Sequence, residues 1–132
     1  TVLRWRLDKD PDLNLDTSDI NEPVPALDIH HDRGPVRVSY EYLIREEDAK
    51  DFTQCMQDMR RVRRRGGAMN WSVYEDILQP GIFVETFVVG SWMEHLRQLE
   101  RYTMNDQKIQ NRVYAFHQAD RLPQARYLIA PG

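Results

Sequence analysis

Trp92, His95, Arg97 and Arg101 all fall within one short run, GSWMEHLRQLER, at residues 90–101. An imidazole beside an indole offers two kinds of chemistry. It can take a proton from a small aromatic substrate as a general base, or it can hold a ligand against the tryptophan. Glu85 is a second candidate. It lies between Phe83 and Phe87 in IFVETFVVG, and on a strand all three share one face. A carboxylate among phenylalanines needs a cationic partner, and Arg97 or Arg101 is the expected one. Trp71 and Tyr74 supply further aromatic surface. The candidate ligand-binding set is therefore Trp71, Tyr74, Glu85, Trp92, His95 and Arg101. No serine–histidine–aspartate arrangement and no nucleotide fingerprint accompanies it. Binding is expected rather than catalysis, so no catalytic residue is assigned; His95 is the alternative base.

A second cluster has only charge. RRVRRRGG places Arg60, Arg61, Arg63, Arg64 and Arg65 at the end of a helical pattern. Arg60, Arg61, Arg63 and Arg64 are candidates for contact with anions or anionic lipid headgroups. The plainer expectation is that they complement a helix C-terminus, so that replacing Arg63 and Arg64 with Gln costs on the order of 1 kcal/mol. Gly66-Gly67 is no phosphate loop, since the Lys-Ser/Thr of that motif is missing. The four histidines, His30, His31, His95 and His117, show no helical H-x-x-x-H pair. Neighbouring His30 and His31 do not readily converge on one ion, so no metal and no cofactor is expected. Cys55 is the single cysteine, which excludes an intrachain disulfide and a cysteine-rich zinc site. A net charge of −3, with no RNA-binding aromatic signature, argues against a nucleic-acid partner.

These residues must be positioned by a fold of 132 residues, enough for one domain with a modest core. There is no run of 18 apolar residues and no signal peptide. The sequence starts at Thr1 rather than Met, so it is expected to be a fragment with a membrane span upstream. Charge divides it unevenly. Residues 1–34 carry four bases against eight acids, and residues 35–132 carry fourteen bases against thirteen acids. The first stretch, proline-bearing and without periodicity, reads as an extended acidic lead-in. Residues 35–132 read as the folded domain.

Within that domain VRVSYEYLI alternates, with Val36, Val38, Tyr40, Tyr42 and Ile44 on one face. Ala49, Phe52, Cys55, Met56, Met59 and Val62 then recur at helical spacing, and Gly66-Gly67 stops the helix. AMNWSVYED and IFVETFVVG are two strands around a Pro80-Gly81 hairpin. Ser91 and Glu94 predict a capping box, and Thr103 to Asp106 a second cap. Ile109, Val113 and Phe116 mark another helix, and ARYLIA a last strand. The order β-α-β-β-α-α-β predicts an α+β, ferredoxin-like βαββαβ sandwich. Its helices cover one sheet face only, and the other is expected to meet a second copy in a homodimer.

The stretch from RRVRRRGGAMNW through ETFVVGSWMEHLRQ and ERYT resembles a known family. It is similar to the C-terminal soluble extension of bacterial major facilitator superfamily exporters of the transmembrane secretion effector type, relatives of enterobactin-exporter-like proteins. The likeness runs from about Val36 to His117, and LRWRL at residues 3–7 looks like the segment that follows the last membrane helix. The resemblance implies a domain on the cytoplasmic face of the bacterial inner membrane, with the transporter's own membrane domain and a small-molecule ligand as partners. It implies the antibiotic biosynthesis monooxygenase fold, a dimeric α+β barrel. That fold follows a strand with a tryptophan and a histidine-bearing helix, as Phe87–Gly90, Trp92 and His95 do here at tighter spacing. The first-strand asparagine of the haem-degrading members has no counterpart in VRVSYEYLI. The resemblance thus implies an accessory or regulatory domain. A cofactor-independent monooxygenase, with His95 as base and Trp92 and Tyr74 lining the cleft, is the alternative.

Overall fold

Alternating apolar residues and the neighbours that pair with them build the sheet. The computed structural model describes residues 24–26 and 33–131. Strand β1 (Val36–Leu43) buries Val36, Val38, Tyr40 and Tyr42 on one face and turns Arg37 and Glu41 outward. After a short 3-10 turn (Glu46–Asp48), α1 (Ala49–Arg65) buries Phe52, Met56, Met59 and Val62 against that face. β2 (Met69–Glu75) and β3 (Ile82–Val89) form the expected hairpin, followed by α2 (Trp92–Glu100), α3 (Met104–Ala115) and β4 (Gln124–Ile129). The sheet order is β2-β3-β1-β4, every neighbouring pair antiparallel. Each βαβ unit is thus split by an intervening strand, which is the ferredoxin-like arrangement predicted by the element order.

The helix ends hold the layers in place. At the end of α1 the N–H of Gly67 donates to the Arg64 carbonyl and that of Ala68 to the Arg63 carbonyl, both at 3.0 Å. This Schellman pattern needs a left-handed residue, and Gly67 at φ 105° supplies it. Thr103 and Asp106 form a complete capping box, each side chain accepting from the other's backbone N–H at 3.0 Å. At Ser91 only half of the expected box forms. Ser91 Oγ accepts from Glu94 N at 3.1 Å, but the Glu94 carboxylate turns to Arg97 at 3.0 Å. The Trp92 N–H meanwhile donates to the Arg33 carbonyl at 3.0 Å.

That last bond ties the start of the domain to α2. Arg33 also donates from Nη2 to the Ala130 carbonyl at 3.1 Å, and a Cβ at Gly34 would fall 2.3 Å from the Gly90 carbonyl oxygen. Arg33 and Gly34, read above as the end of the lead-in, are therefore packed into the fold. The rest of the predicted lead-in, apart from residues 24–26, lies outside the described residues, as do His30 and His31.

The caps make a stability prediction. Thr103→Ala removes an acceptor and frees Asp106, so it should cost about 1–2 kcal/mol in chemical denaturation. Ser91→Ala, losing half a box, should cost about 1 kcal/mol or less. Equal losses in both variants would show that the reciprocal Asp106 bond contributes nothing.

Candidate functional site

The space between sheet and helices contains an ion pair. On α1, Arg63 follows Phe52, Met56 and Met59 at steps of four, three and four residues, which brings it to the buried stripe. On β3, Glu85 shares the inner face with Phe83 and Phe87. Both side chains are sealed from solvent, Arg63 at 1% and Glu85 at 0% exposure. Arg63 Nε donates to Glu85 Oε2 at 2.9 Å and Nη2 to Oε1 at 3.2 Å. Tyr42 donates its hydroxyl to Oε1 at 2.8 Å, and Trp71 Nε1 donates to Oε2 at 2.9 Å. Glu85 thus accepts from a strand on either side and from α1. The remaining face of Arg63 is filled by Tyr102, whose hydroxyl accepts from Nη1, and by the rings of Tyr40 and Phe87 at 4.7 and 5.1 Å. Burial alone would lower the guanidinium's pKa, but the Glu85 carboxylate outweighs it and raises it well above the usual value. Burial, followed by the charge of Glu85, pushes the Tyr42 hydroxyl well above its usual range.

His95 lies deeper in α2, also at 0% exposure, with the Trp92 ring at 5.5 Å and the Tyr127 ring at 5.1 Å. Among the described residues neither ring nitrogen has a hydrogen-bond partner, and Gln98 Oε1 has none either. Burial, reinforced by the charge of Arg63, lowers the His95 pKa to about 4. Gln98 is close enough to favour the charged ring slightly, yet it makes no hydrogen bond of ordinary geometry with it. The Gln98 amide instead donates to the Arg63 carbonyl at 3.2 Å. The imidazole is therefore neutral at physiological pH, next to a permanent cation.

Four of the six predicted ligand-site residues belong to this inner layer, in two pairs: Trp71 bonded to Glu85, and Trp92 beside His95. Tyr74 does not. By the alternation that turns Trp71 and Val73 inward it faces the opposite side of the sheet, 61% exposed. Arg101 is exposed and donates to the Gly66 carbonyl at 3.4 Å. Neither Arg97 nor Arg101 pairs with Glu85; Arg63 does. This also corrects the assignment of Arg63 to an anion- or lipid-contacting group, because a sealed guanidinium cannot meet a headgroup. Arg60, Arg61 and Arg64 stay exposed on α1, with Arg61 bonded to Asp58 and neighbouring Arg65 to Asp106. Tyr40, already placed on the inner face by alternation, and Tyr102, Tyr127 and Gln98 complete the inner assembly, none of them expected in the site. Alternation with Ala125 and Ile129 was the available signal for Tyr127.

A family model described as transmembrane secretion effector matches residues 1–131. No curated protein matches the chain significantly. Solved structures share the fold at low identity. A proposed antibiotic biosynthesis monooxygenase from Bordetella bronchiseptica is 14% identical, with a TM-score of 0.62 over 75% of this chain and 99% of its own. One from Caulobacter crescentus is 13% identical, with a TM-score of 0.62 over 77% and 94%. A conserved protein from Methanosarcina mazei is 14% identical, with a TM-score of 0.61 over 73% and 92%. These likenesses bear out the expected antibiotic biosynthesis monooxygenase fold.

The ion pair separates two neighbouring arginines. Arg63→Gln leaves the Glu85 carboxylate buried without its cation and should cost about 3–5 kcal/mol. Exposed Arg64→Gln should stay within about 0.5 kcal/mol. The earlier expectation of a small combined cost is corrected accordingly. His95 adds a pH dependence. Its folded pKa of about 4 lies below the ordinary 6.5, so the unfolded chain binds the extra proton between these values. Stability should be full above pH 6.5 and fall as pH drops toward 4, by roughly 3 kcal/mol from this group. Denaturation curves of His95→Gln should lack that component.

Proposed function

Because the chain belongs to the transmembrane secretion effector family, we propose that it is the cytosolic accessory domain of a major facilitator exporter. In this reading it dimerises and modulates transport by binding a small ligand. One observation favours binding over turnover. The general-base candidate, His95, is fully enclosed and has a pKa of about 4, which makes it a weak base without contact to solvent. Among the described residues no helix is long and apolar enough to cross a membrane, and no three His, Cys, Asp or Glu side chains are grouped to hold a metal ion.

Dimerisation is supported by the uncovered sheet face. The described helices bury Phe52, Met56, Trp92, His95 and Val113 in the layer against the inner face, while Leu43, Tyr74, Val84, Val88 and Leu128 line the outer one. A second copy placed there would shield these apolar groups. The exposed Arg60, Arg61 and Arg64, on the helix layer at the opposite side of the sheet, would remain available to an anionic headgroup or to solvent.

One observation favours the rival monooxygenase reading. Both nitrogens of a buried imidazole are unpartnered beside Trp92 and Tyr127, in a fold shared with proteins named for that activity. The two readings differ in one measurement. Purified chain incubated with phenols and quinols should show no oxygen uptake above background, and His95→Ala should alter ligand affinity or transport without unfolding the domain. Oxygen uptake by the wild type that vanishes in His95→Ala would reverse the assignment. For assembly, sedimentation at tens of micromolar should give a dimer, and Val84→Asp, placing a charge on the outer face, should give a monomer.

A further inference from the structure

The loop joining β2 to β3 displays two large aliphatic side chains to solvent, Ile77 at 92% and Leu78 at 89% exposure. They are not on a loose segment. Asp76 Oδ1 accepts from the backbone N–H of Leu78 and of Gln79, at 2.8 and 3.2 Å. Glu75 Oε2 accepts from Gly81 N at 3.0 Å, and the Asp76 N–H donates to the Ile82 carbonyl at 2.9 Å. The Gly81 carbonyl accepts from Ile44 N at 2.8 Å, which fastens the loop to the end of β1. Gly81 takes the left-handed conformation, φ 97°, that this tight return needs. The loop is held in one shape with its apolar pair facing out, so little ordering entropy remains to oppose docking.

We propose that this hairpin is a clasp that seats on the outer sheet face of a second copy, over the patch formed by Met69, Val88 and Leu128. The proposal rests on the outer face being the homodimer interface. Met69 pairs with Val88 across β2 and β3, and Arg37 of β1 lies opposite both Val88 and Leu128, so these residues share one end of that face. Met69 is 50% and Leu128 48% exposed, at the end away from the hairpin.

Charge selects this orientation. Arg37, opposite Val88 and Leu128, lies toward the Met69–Leu128 end, Arg126, opposite Ser39, lies at the middle of the sheet, and Glu41, opposite Val84, lies toward the hairpin. A two-fold axis parallel to the strands would put the two Arg37 side chains at the same end of the interface and the two Glu41 side chains at the other. An axis across the strands sets Arg37 of each copy toward Glu41 of the other and brings each hairpin over its partner's patch. The carboxylates around the loop, Glu75, Asp76, Glu46 and Glu47, disfavour an anionic membrane as the occupant.

Equilibrium sedimentation of the wild-type chain and of the double variant Ile77→Asp/Leu78→Asp tests this. The double variant should fold normally by circular dichroism but dimerise at least ~100-fold more weakly, from two aliphatic side chains left unburied. A second test mixes one chain carrying Leu78→Cys with another carrying Leu128→Cys, each with Cys55→Ser, under mild oxidation. A covalent heterodimer is expected. A dimeric wild type whose affinity is unchanged in the double variant, with no heterodimer crosslink, overturns the clasp and leaves the dimer standing. A monomeric wild type overturns both. Binding to phosphatidylethanolamine–phosphatidylglycerol vesicles that the double variant loses, with dimerisation unaltered, reassigns the hairpin to a membrane and overturns the proposal.

Discussion

A guanidinium and a carboxylate sealed inside a small domain are the constraint around which the inner layer is arranged. Removing either charge from water carries a penalty of several kcal/mol, which the attraction between them offsets only with good geometry and further hydrogen bonds. Here the required partners come from five places in the chain. Arg63 is on α1, Glu85 on β3, Tyr42 on β1, Trp71 on β2, and Tyr102 between α2 and α3. A slip of β1 by one residue would turn Tyr42 to the outer face and remove a donor from Glu85. The pair thereby specifies register and helix placement, whatever its net contribution to stability.

Most of the architecture was legible because burial imposes different periods on strands and helices. Val36, Val38, Tyr40 and Tyr42 show a period of two, while Phe52, Met56 and Met59 show the helical one, and both patterns are one-sided. The need of Glu85 for a cation was legible too, since two phenylalanines share its face. The identity of that cation was not. Five arginines crowd the end of α1, and a helix C-terminus explains such a run without reference to the core. Only the continuation of the stripe from Met59 to Arg63 separates the buried arginine from its neighbours. Tyr74 illustrates the opposite error. Its aromatic ring suggested a cleft, although simple alternation from Trp71 already placed it outside.

Arg63 and His95, both sealed in the inner layer, behave differently for one electrostatic reason. Arg63 keeps its proton because Glu85 contacts it directly. His95 has no carboxylate at hand and feels burial and the Arg63 charge together, so it gives its proton up. The interior therefore contains a compensated ion pair and a neutral imidazole with unused hydrogen-bonding capacity. Such a group costs free energy while it stays unpaired, which makes the first turns of α2 the part of the core with most to gain from a polar contact.

That same turn is where the preceding chain joins the domain. Trp92 donates its backbone N–H to Arg33, and Gly34 packs directly on the backbone of Gly90 and Ser91. A Cβ at residue 34 would collide with that backbone, so the two segments are in direct backbone contact. A shift of α2 that repositions His95 against Trp92 and Tyr127 is consequently felt at Arg33 within one hydrogen bond. Under the proposed function this is the physical link an accessory domain requires: the group able to respond to a ligand and the Arg33–Gly34 segment that precedes β1 share a single helix start.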